Sequence, residues 1–588
     1  MRESHAIVMV ASRSGITGEG SNVRACHLGW IVSLVATSVF AGTPATTVFV
    51  GGVVETMGAG AHRATALAVA GERIAYVGDD AGARAWIGPQ TRVIDLHGRT
   101  LLPGFQDSHV HPELVPNPAT RLDVGGLGAR EAIFRRIGEY AAAHPAKPWV
   151  VGTGWEEAAF LPSGQPDRAM LDAVVRDRPA FLTNNSQHMG WANSAALAAA
   201  GITRDTPDPA NGRIERDAAG EPTGVLQEAA MDLMRRVIPP RPVDEQVEDL
   251  RAALREMNRL GITGYEDAAV RTEWVDAYLA LGRAGPAGMR VNLCLYFDPA
   301  GDDDAQLARF EQLRAQFADT SVHAPCVKFV QDGAYGSHTV ALLQPYSDEP
   351  EKFGHGTLFV EPERLKRLVT RLDAAGFQVH VHAEGDAATR TALDAIDAAR
   401  KVNGPRDNRH TLAHLVLVDP SDQPRFRTLG VVANMSPLWS RGDPWETVFA
   451  PRLFGPERSA RLYPANTLLA AGARLVYGSD WPVTGVAPLD GLETAVTHRY
   501  PGGRDPEGQP DTAWIPGERV TLRQALEAYT VNGAWLVHDE HQRGTLEAGK
   551  LADLVVLGGD LGKTAPLDIH ALGVDLTMVG GQVVYERR

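Results

Sequence analysis

The sequence predicts an α/β fold: a (β/α)8 barrel of the TIM type, with a small β-sandwich built from both chain ends and a large insertion after the first barrel strand. Three observations carry this prediction. Strand-like and helical runs alternate through the middle of the chain, short strands cluster at both termini, and ionisable residues recur at the ends of the middle strands.

Apolar runs at 100–105, 261–265, 290–297, 326–330, 378–382, 410–414, 431–435 and 474–478 read as strands. Between them, 246–260, 305–318, 362–375 and 387–400 have helical periodicity. Strands alternating with helices make parallel βαβ units, and eight of them close a barrel whose chemistry lies at the strands' C-terminal ends. Short strands at 47–57, 66–69, 73–78 and 92–96 are matched near the C-terminus by 552–557, 574–579 and 582–585. These assign 47–99 and 536–588 to one sandwich, 100–535 to the barrel and 112–240 to the insertion, with a separate C-terminal domain as the alternative.

With 588 residues, 44% of them hydrophobic and 22% charged, the chain is globular rather than disordered. A net charge of −15 without a basic tract argues against nucleic acid as a partner. Cys294 and Cys326 lie in apolar strand-like runs and read as buried thiols rather than a disulfide framework. Residues 28–42 form an uncharged apolar run behind Arg24 and ahead of small residues, so 1–46 reads as a leader of the signal-peptide kind. The run is too short for a stable membrane span. The expected location is periplasmic or secreted, with a cytoplasmic enzyme carrying a leader as the alternative.

His109 and His111 end the run Leu101-Leu102-Pro103-Gly104-Phe105-Gln106-Asp107-Ser108-His109-Val110-His111. Residues two apart on a strand share a face, so both imidazoles can reach one metal ion; a core histidine beside a solvated one is the alternative. Lys328 stands inside an apolar strand, where a bare ammonium needs a partner or a chemical modification; ion pairing to Asp332 or Asp267 would serve. His382, His414 and Asp480 close later strands. Their spacings fit one barrel: 32 residues from His382 to His414 and 66 from there to Asp480, against about 31 per βα unit. His380 shares a face with His382 and reads as a polar filler one layer deeper.

Taken in order, 103–111, Lys328 with Asp332-Gly333, His382-Ala383-Glu384-Gly385-Asp386, His414 and Gly478-Ser479-Asp480-Trp481-Pro482 resemble the amidohydrolase superfamily. The similarity is to its YtcJ-like, N-substituted formamide deformylase-type branch and runs from about 47 to 588, with Gly544 to Leu554 similar to the return into the sandwich. The resemblance implies that His109 and His111 bind one metal and that His382 and His414 bind a second. It implies that Lys328 is carboxylated and bridges two divalent ions, zinc by its ligand types, although one ion would also serve. Asp480 would contact metal and act as general base, then general acid, as a metal-bound hydroxide attacks a C–N bond of amide type, N-formyl or N-acyl. His188 in Asn184-Asn185-Ser186-Gln187-His188 would hydrogen-bond the substrate carbonyl, with a surface or core histidine as the alternative. Trp155 would wall the substrate pocket or lie in a core. Ala413 and Glu384 depart from the branch, which commonly has glutamate and isoleucine there. Ester or lactone hydrolysis, or a non-hydrolytic reaction, could use the same scaffold, and a catalytically inactive regulatory barrel is the alternative of another class. The expected partners are a small-molecule substrate and a second copy of the chain in a homodimer.

Overall fold

The computed structural model describes residues 44–588 apart from 59–63, 116, 118–120, 162–163, 286–287, 444 and 507. The signal-like run therefore lies outside the described residues. Eight strands form the barrel: β1 (Phe105–Val110), β2 (Ile262–Val270), β3 (Arg290–Tyr296), β4 (Val322–Val330), β5 (Gln378–Ala383), β6 (Thr411–His414), β7 (Val432–Met435) and β8 (Arg474–Tyr477). They pair in that order, each parallel to the next. The open side between β8 and β1 is joined just past the strand end, where Asp480 N donates to His109 O at 2.8 Å and His111 N to Trp481 O at 2.9 Å.

The first barrel strand begins later than the apolar run at 100–105 suggests. Thr100–Pro103 pairs instead with Leu554–Leu557 in the terminal sheet. Gly104 allows the change of sheet, because a Cβ there would sit 2.2 Å from the Thr263 side chain. His109 consequently lies within β1, and only His111 follows it.

Helices cover the barrel with one apolar face each. Val243–Arg259 buries Val247, Leu250, Leu254 and Met257, at the three- and four-residue steps of a helical stripe. Asp303–Phe317 is capped by Asp302, which accepts from Ala305 N at 2.9 Å, and buries Phe310, Leu313 and Phe317. Each such side chain contributes about 1.5–3 kcal/mol through burial. None of the described helices is long and apolar enough to cross a membrane.

Two sheets outside the barrel come from the chain ends. One has the order Arg73–Gly78, Ala66–Ala70, Thr47–Val50, Arg92–Asp95; the other Val53–Val54, Thr100–Pro103, Leu554–Leu557, Val574–Val579, Gln582–Glu586. Phe49, Leu67 and Val69 of the first pack in one core with Leu554, Val556, Leu576 and Met578 of the second.

The insertion has its own six-stranded sheet, in the order Gly212–Arg216, Pro222–Glu228, Met189–Ala192, Ala180–Asn184, Val150–Trp155, Leu122–Asp123. Trp155 belongs to its core: the ring is buried, meets Phe160 edge-on, and its Nε1 donates to Leu182 O at 3.0 Å. The indole is thus buried and hydrogen-bonded in the insertion's core, the place the second of the two readings of Trp155 gave it. The two cysteines also differ from expectation. Cys294 and Cys326 are register partners on β3 and β4, with Cα atoms 4.2 Å apart, and form a disulfide. Only strand register, which the sequence does not display, sets them opposite one another.

Candidate metal centre

Strand ends bring five of the six expected metal ligands into contact with another of the set. His109 Nε2 and His111 Nε2 both lie 3.3 Å from Asp480 Oδ1. Donor atoms of these three residues fall within 4.8 Å of one another, a spacing that suits a single ion. The His414 ring lies 4.4 Å from that of His382 and 4.7 Å from that of His109, and it stacks on Trp439 at 5.0 Å. Gly478 makes the closure possible, since a Cβ there would come within 2.4 Å of His109 Cβ. His414 and Asp480 hold left-handed backbone, with φ of 75° and 56°. Such conformations are costly for residues other than glycine and cluster at functional sites.

Among the described residues, three histidine nitrogens are buried without a hydrogen-bond partner: His109 Nε2, His111 Nδ1 and His414 Nδ1. Burial and neighbouring Lys328 hold His109 and His382 well below the ordinary imidazole range; His414 is lowered by burial, His382 and Lys328. Neutral imidazoles with open lone pairs are the form that binds metal.

Carboxylates stand behind these rings. His382 Nδ1 lies 3.0 Å from Asp332 Oδ1, and Asp332 also accepts from the backbone N–H groups of Glu384, Gly385 and Ala341 at 2.9–3.1 Å. This fixes the ring with Nε2 directed away from Asp332. His109 Nδ1 lies 3.0 Å from His380 Nε2, and His380 Nδ1 lies 2.7 Å from Glu266 Oε1. An ionised Glu266 accepts from His380, which then accepts from His109, leaving His109 Nε2 as a lone pair. A protonated Glu266 reverses the series and covers that nitrogen. His380 is thus a link in a relay rather than a filler.

Lys328 is the sixth expected ligand. It is 2% exposed, and among the described residues no carboxylate lies within 4.0 Å of its Nζ. Asp332 is taken up by His382, and Asp267 accepts from Tyr278 Oη and from Ala269 N. Burial lowers the Lys328 amine to about 7, against the pull of Asp480, Glu266 and Asp267. The ion-pair alternative therefore has no partner among the described residues.

His188 arrives from the insertion, its ring 5.8 Å from that of His382. Its Nδ1 lies 2.9 Å from Glu228 Oε2, while Thr339 and Ser337 donate to Glu228 Oε1 at 2.8 and 3.1 Å. Burial opposes charging His188, but the Glu228 carboxylate and its hydrogen bond, helped by Glu384 and Asp480, raise it to about 9. Glu228, Glu266 and the role of Asp332 escaped the sequence reading. Asp332 is next to a glycine in a recognisable segment, whereas Glu228 ends an insertion strand that carries no pattern of its own.

A model described as the amidohydrolase family matches residues 92–585. The chain belongs to the amidohydrolase family. This amidohydrolase is similar to YtcJ of Bacillus subtilis strain 168, 32% identical over 508 residues, covering 85% of this chain and 91% of the relative. It is 30% identical over 535 residues to the N-substituted formamide deformylase of Arthrobacter pascens, covering 89% and 95%. Among solved structures, an uncharacterized metal-dependent hydrolase from Pyrococcus furiosus has the same fold, with TM-score 0.67 and 24% identity over 89% of this amidohydrolase and 99% of that chain.

Proposed function

We propose that this amidohydrolase is a metal-dependent hydrolase that cleaves the C–N bond of an amide-type substrate, N-formyl and N-acyl amides being the class to test. The carrying observation is the trio His109, His111 and Asp480, whose donors lie within 4.8 Å and whose imidazoles include unpartnered buried nitrogens. Imidazole and carboxylate donors fit a divalent ion, zinc before manganese or iron. His109, His111 and Asp480 would hold one ion and His382 and His414 a second, with carboxylated Lys328 between them. Bound there, a divalent ion supplies Lewis acidity, polarising a carbonyl and lowering the pKa of water from 15.7 to about 7.

The chain's own groups then divide the work. Asp480 takes a proton from the attacking water and delivers it to the leaving nitrogen, so that amide and water become acid and amine. His188 donates from Nε2 to the carbonyl oxygen as charge develops there, because its Nδ1–H is held by Glu228. Asp332 keeps His382 in its binding tautomer, and the Glu266–His380 pair does the same for His109 when Glu266, raised by burial to about 8, is ionised.

Purified protein should carry between one and two equivalents of divalent metal and hydrolyse members of an amide panel. Full activity in metal-free protein would sink the reading.

Only the imidazolium form of His188 can donate from both nitrogens. With its pKa raised to about 9, donation persists to that pH and is lost above it. The same raised value stabilises the fold below the unfolded value of 6.5, an effect that fades as pH rises through about 9. Glu228→Gln should therefore move the alkaline limb of the kcat/KM profile toward neutral pH by about one unit or more. An unmoved limb would take His188 out of this role.

The disulfide agrees with a place outside the cytoplasm, since such bonds persist in oxidising compartments. We propose an exported enzyme on that ground and on the leader.

A further inference from the structure

Glu384 is neither an expected metal ligand nor a proton-transfer group; its charge acts on His188, and it lies beside both sites. It follows β5 directly, two residues after His382, and is 3% exposed. Its backbone is fixed at 3.0 Å on Asp332 Oδ1, and that of Gly385 at 2.9 Å on Oδ2. A Cβ on Gly385 would lie 1.9 Å from Ala341 O, so the turn cannot relax outward. The side chain is therefore delivered to one place, and its Oε2 is buried there without a hydrogen-bond partner. A buried carboxyl oxygen left unpaired is costly and calls for a donor.

The Tyr335 backbone N–H hydrogen-bonds the Glu384 carboxyl but leaves Oε2 without a partner, and the neighbouring side-chain donors are engaged elsewhere. Tyr335 Oη and Tyr463 Oη both donate to Glu446 Oε1, at 2.9 and 3.0 Å. His188, the cation whose charge acts on Glu384, is held by Glu228 at 2.9 Å. Close by, Glu446 Oε2 and Trp439 Nε1 are also buried without partners, and Trp439 stacks on His414. Acceptors thus outnumber donors on the side of the metal centre facing Tyr335, Tyr463 and Trp439. An unpaired carboxyl oxygen among such groups is matched by the N–H donors of a positively charged nitrogen.

We propose that Glu384 determines specificity by pairing with an ammonium group on the substrate, so that the preferred amides carry a cationic nitrogen a few bonds from the one that is cut. This rests on the amide-hydrolase reading for its chemistry, but not for its binding. An ammonium brings N–H donors to Glu384 Oε2, and an adjacent carbonyl or hydroxyl would take up the Trp439 N–H.

The test uses the metal-loaded full-length protein and matched probes: N-formyl- and N-acetyl-1,4-diaminobutane against the same acyl groups on 1-aminopentane, where a methyl replaces the ammonium. Wild type should favour the cationic member by about 10-fold or more in kcat/KM. Glu384→Gln should remove most of that preference and leave kcat/KM for the pentyl amides within about 3-fold. Equal rates on both members in wild type would overturn the proposal, as would a Glu384→Gln variant that loses both activities equally. Metal content is measured on each batch, because loss of metal in Glu384→Gln would make the residue part of the ion's support and also overturn it. Calorimetric binding of 1,4-diaminobutane and 1-aminopentane to wild type and to Glu384→Leu keeps the question open to refutation if no amide turns over. Binding of the diamine alone, lost in the variant, would support the ammonium site while the amide-hydrolase reading failed; indifference to both amines would overturn the site.

Discussion

Asp480→Asn should lower kcat by about 10²–10⁴-fold, the scale of a lost general base and acid, while the purified protein keeps its metal. The carboxamide preserves the shape of the side chain and an oxygen lone pair, but it cannot accept the proton that attack releases. The position makes this a clean substitution. Asp480 is 5% exposed, its backbone N–H is tied to His109 O at 2.8 Å, and its left-handed φ of 56° fixes the direction of the side chain. Oδ1 lies 3.3 Å from both His109 Nε2 and His111 Nε2, so the variant oxygen stays where it can support an ion. Loss in kcat with KM little changed is the signature of an interaction made during the reaction rather than in binding. The measurement is steady-state turnover with metal analysis on the same sample. Near-wild-type kcat would remove Asp480 from proton transfer, and loss of metal together with activity would recast it as a ligand first.

The barrel was legible because periodicity survives in a single sequence. Each parallel strand, buried on both faces, leaves a short apolar run, and each covering helix leaves a stripe such as Val247, Leu250, Leu254 and Met257. What blurred was the start of the barrel, since the apolar run at 100–105 passes without a break from one sheet to the other and only pairing divides it. The Cys294–Cys326 disulfide was hidden for the same reason, as was the core position of Trp155: register and packing partners are long-range facts.

The ligand set was legible because its members fall in or just past the C-terminal halves of barrel strands, a place where ionisable side chains have no structural reason to recur. The groups behind the ligands were not. Asp332 sits 50 residues from the histidine it holds, Glu266 is 114 from His380, and His380 is 271 from His109. No local pattern encodes such pairs; the barrel makes them neighbours by curling β2, β4 and β5 around β1. Glu384 was visible as a departure from the branch, but its unpartnered oxygen became visible only once Tyr335 and Tyr463 were seen to serve Glu446.

Lys328→Met should cost about 10²-fold or more in turnover and reduce bound metal to one equivalent or fewer, while making the metal-free protein more stable near neutral pH. The two directions oppose each other, which gives the substitution its power. In the metal-free fold Lys328 is an amine buried without an ion-pair partner, and methionine fills similar volume with no charge to desolvate. Burial holds the amine at about 7 when folded, against 10.5 when exposed. Between those values the unfolded chain binds more protons than the folded one, so wild-type stability must climb as pH rises from about 7 toward 10.5. The methionine variant lacks that climb, and denaturant unfolding of both proteins across this range reads it directly. In the loaded enzyme the sign reverses. A lysine amine neutral near pH 7 can add to carbon dioxide and release a proton; the resulting carbamate offers two oxygens and a negative charge between the His109–His111 and His382–His414 pairs. A carbonyl resonance in wild type supplied with ¹³C-bicarbonate, absent from Lys328→Met, would mark that group. If the variant keeps two ions and full turnover, Lys328 bridges nothing and the second ion must rest on the histidines alone.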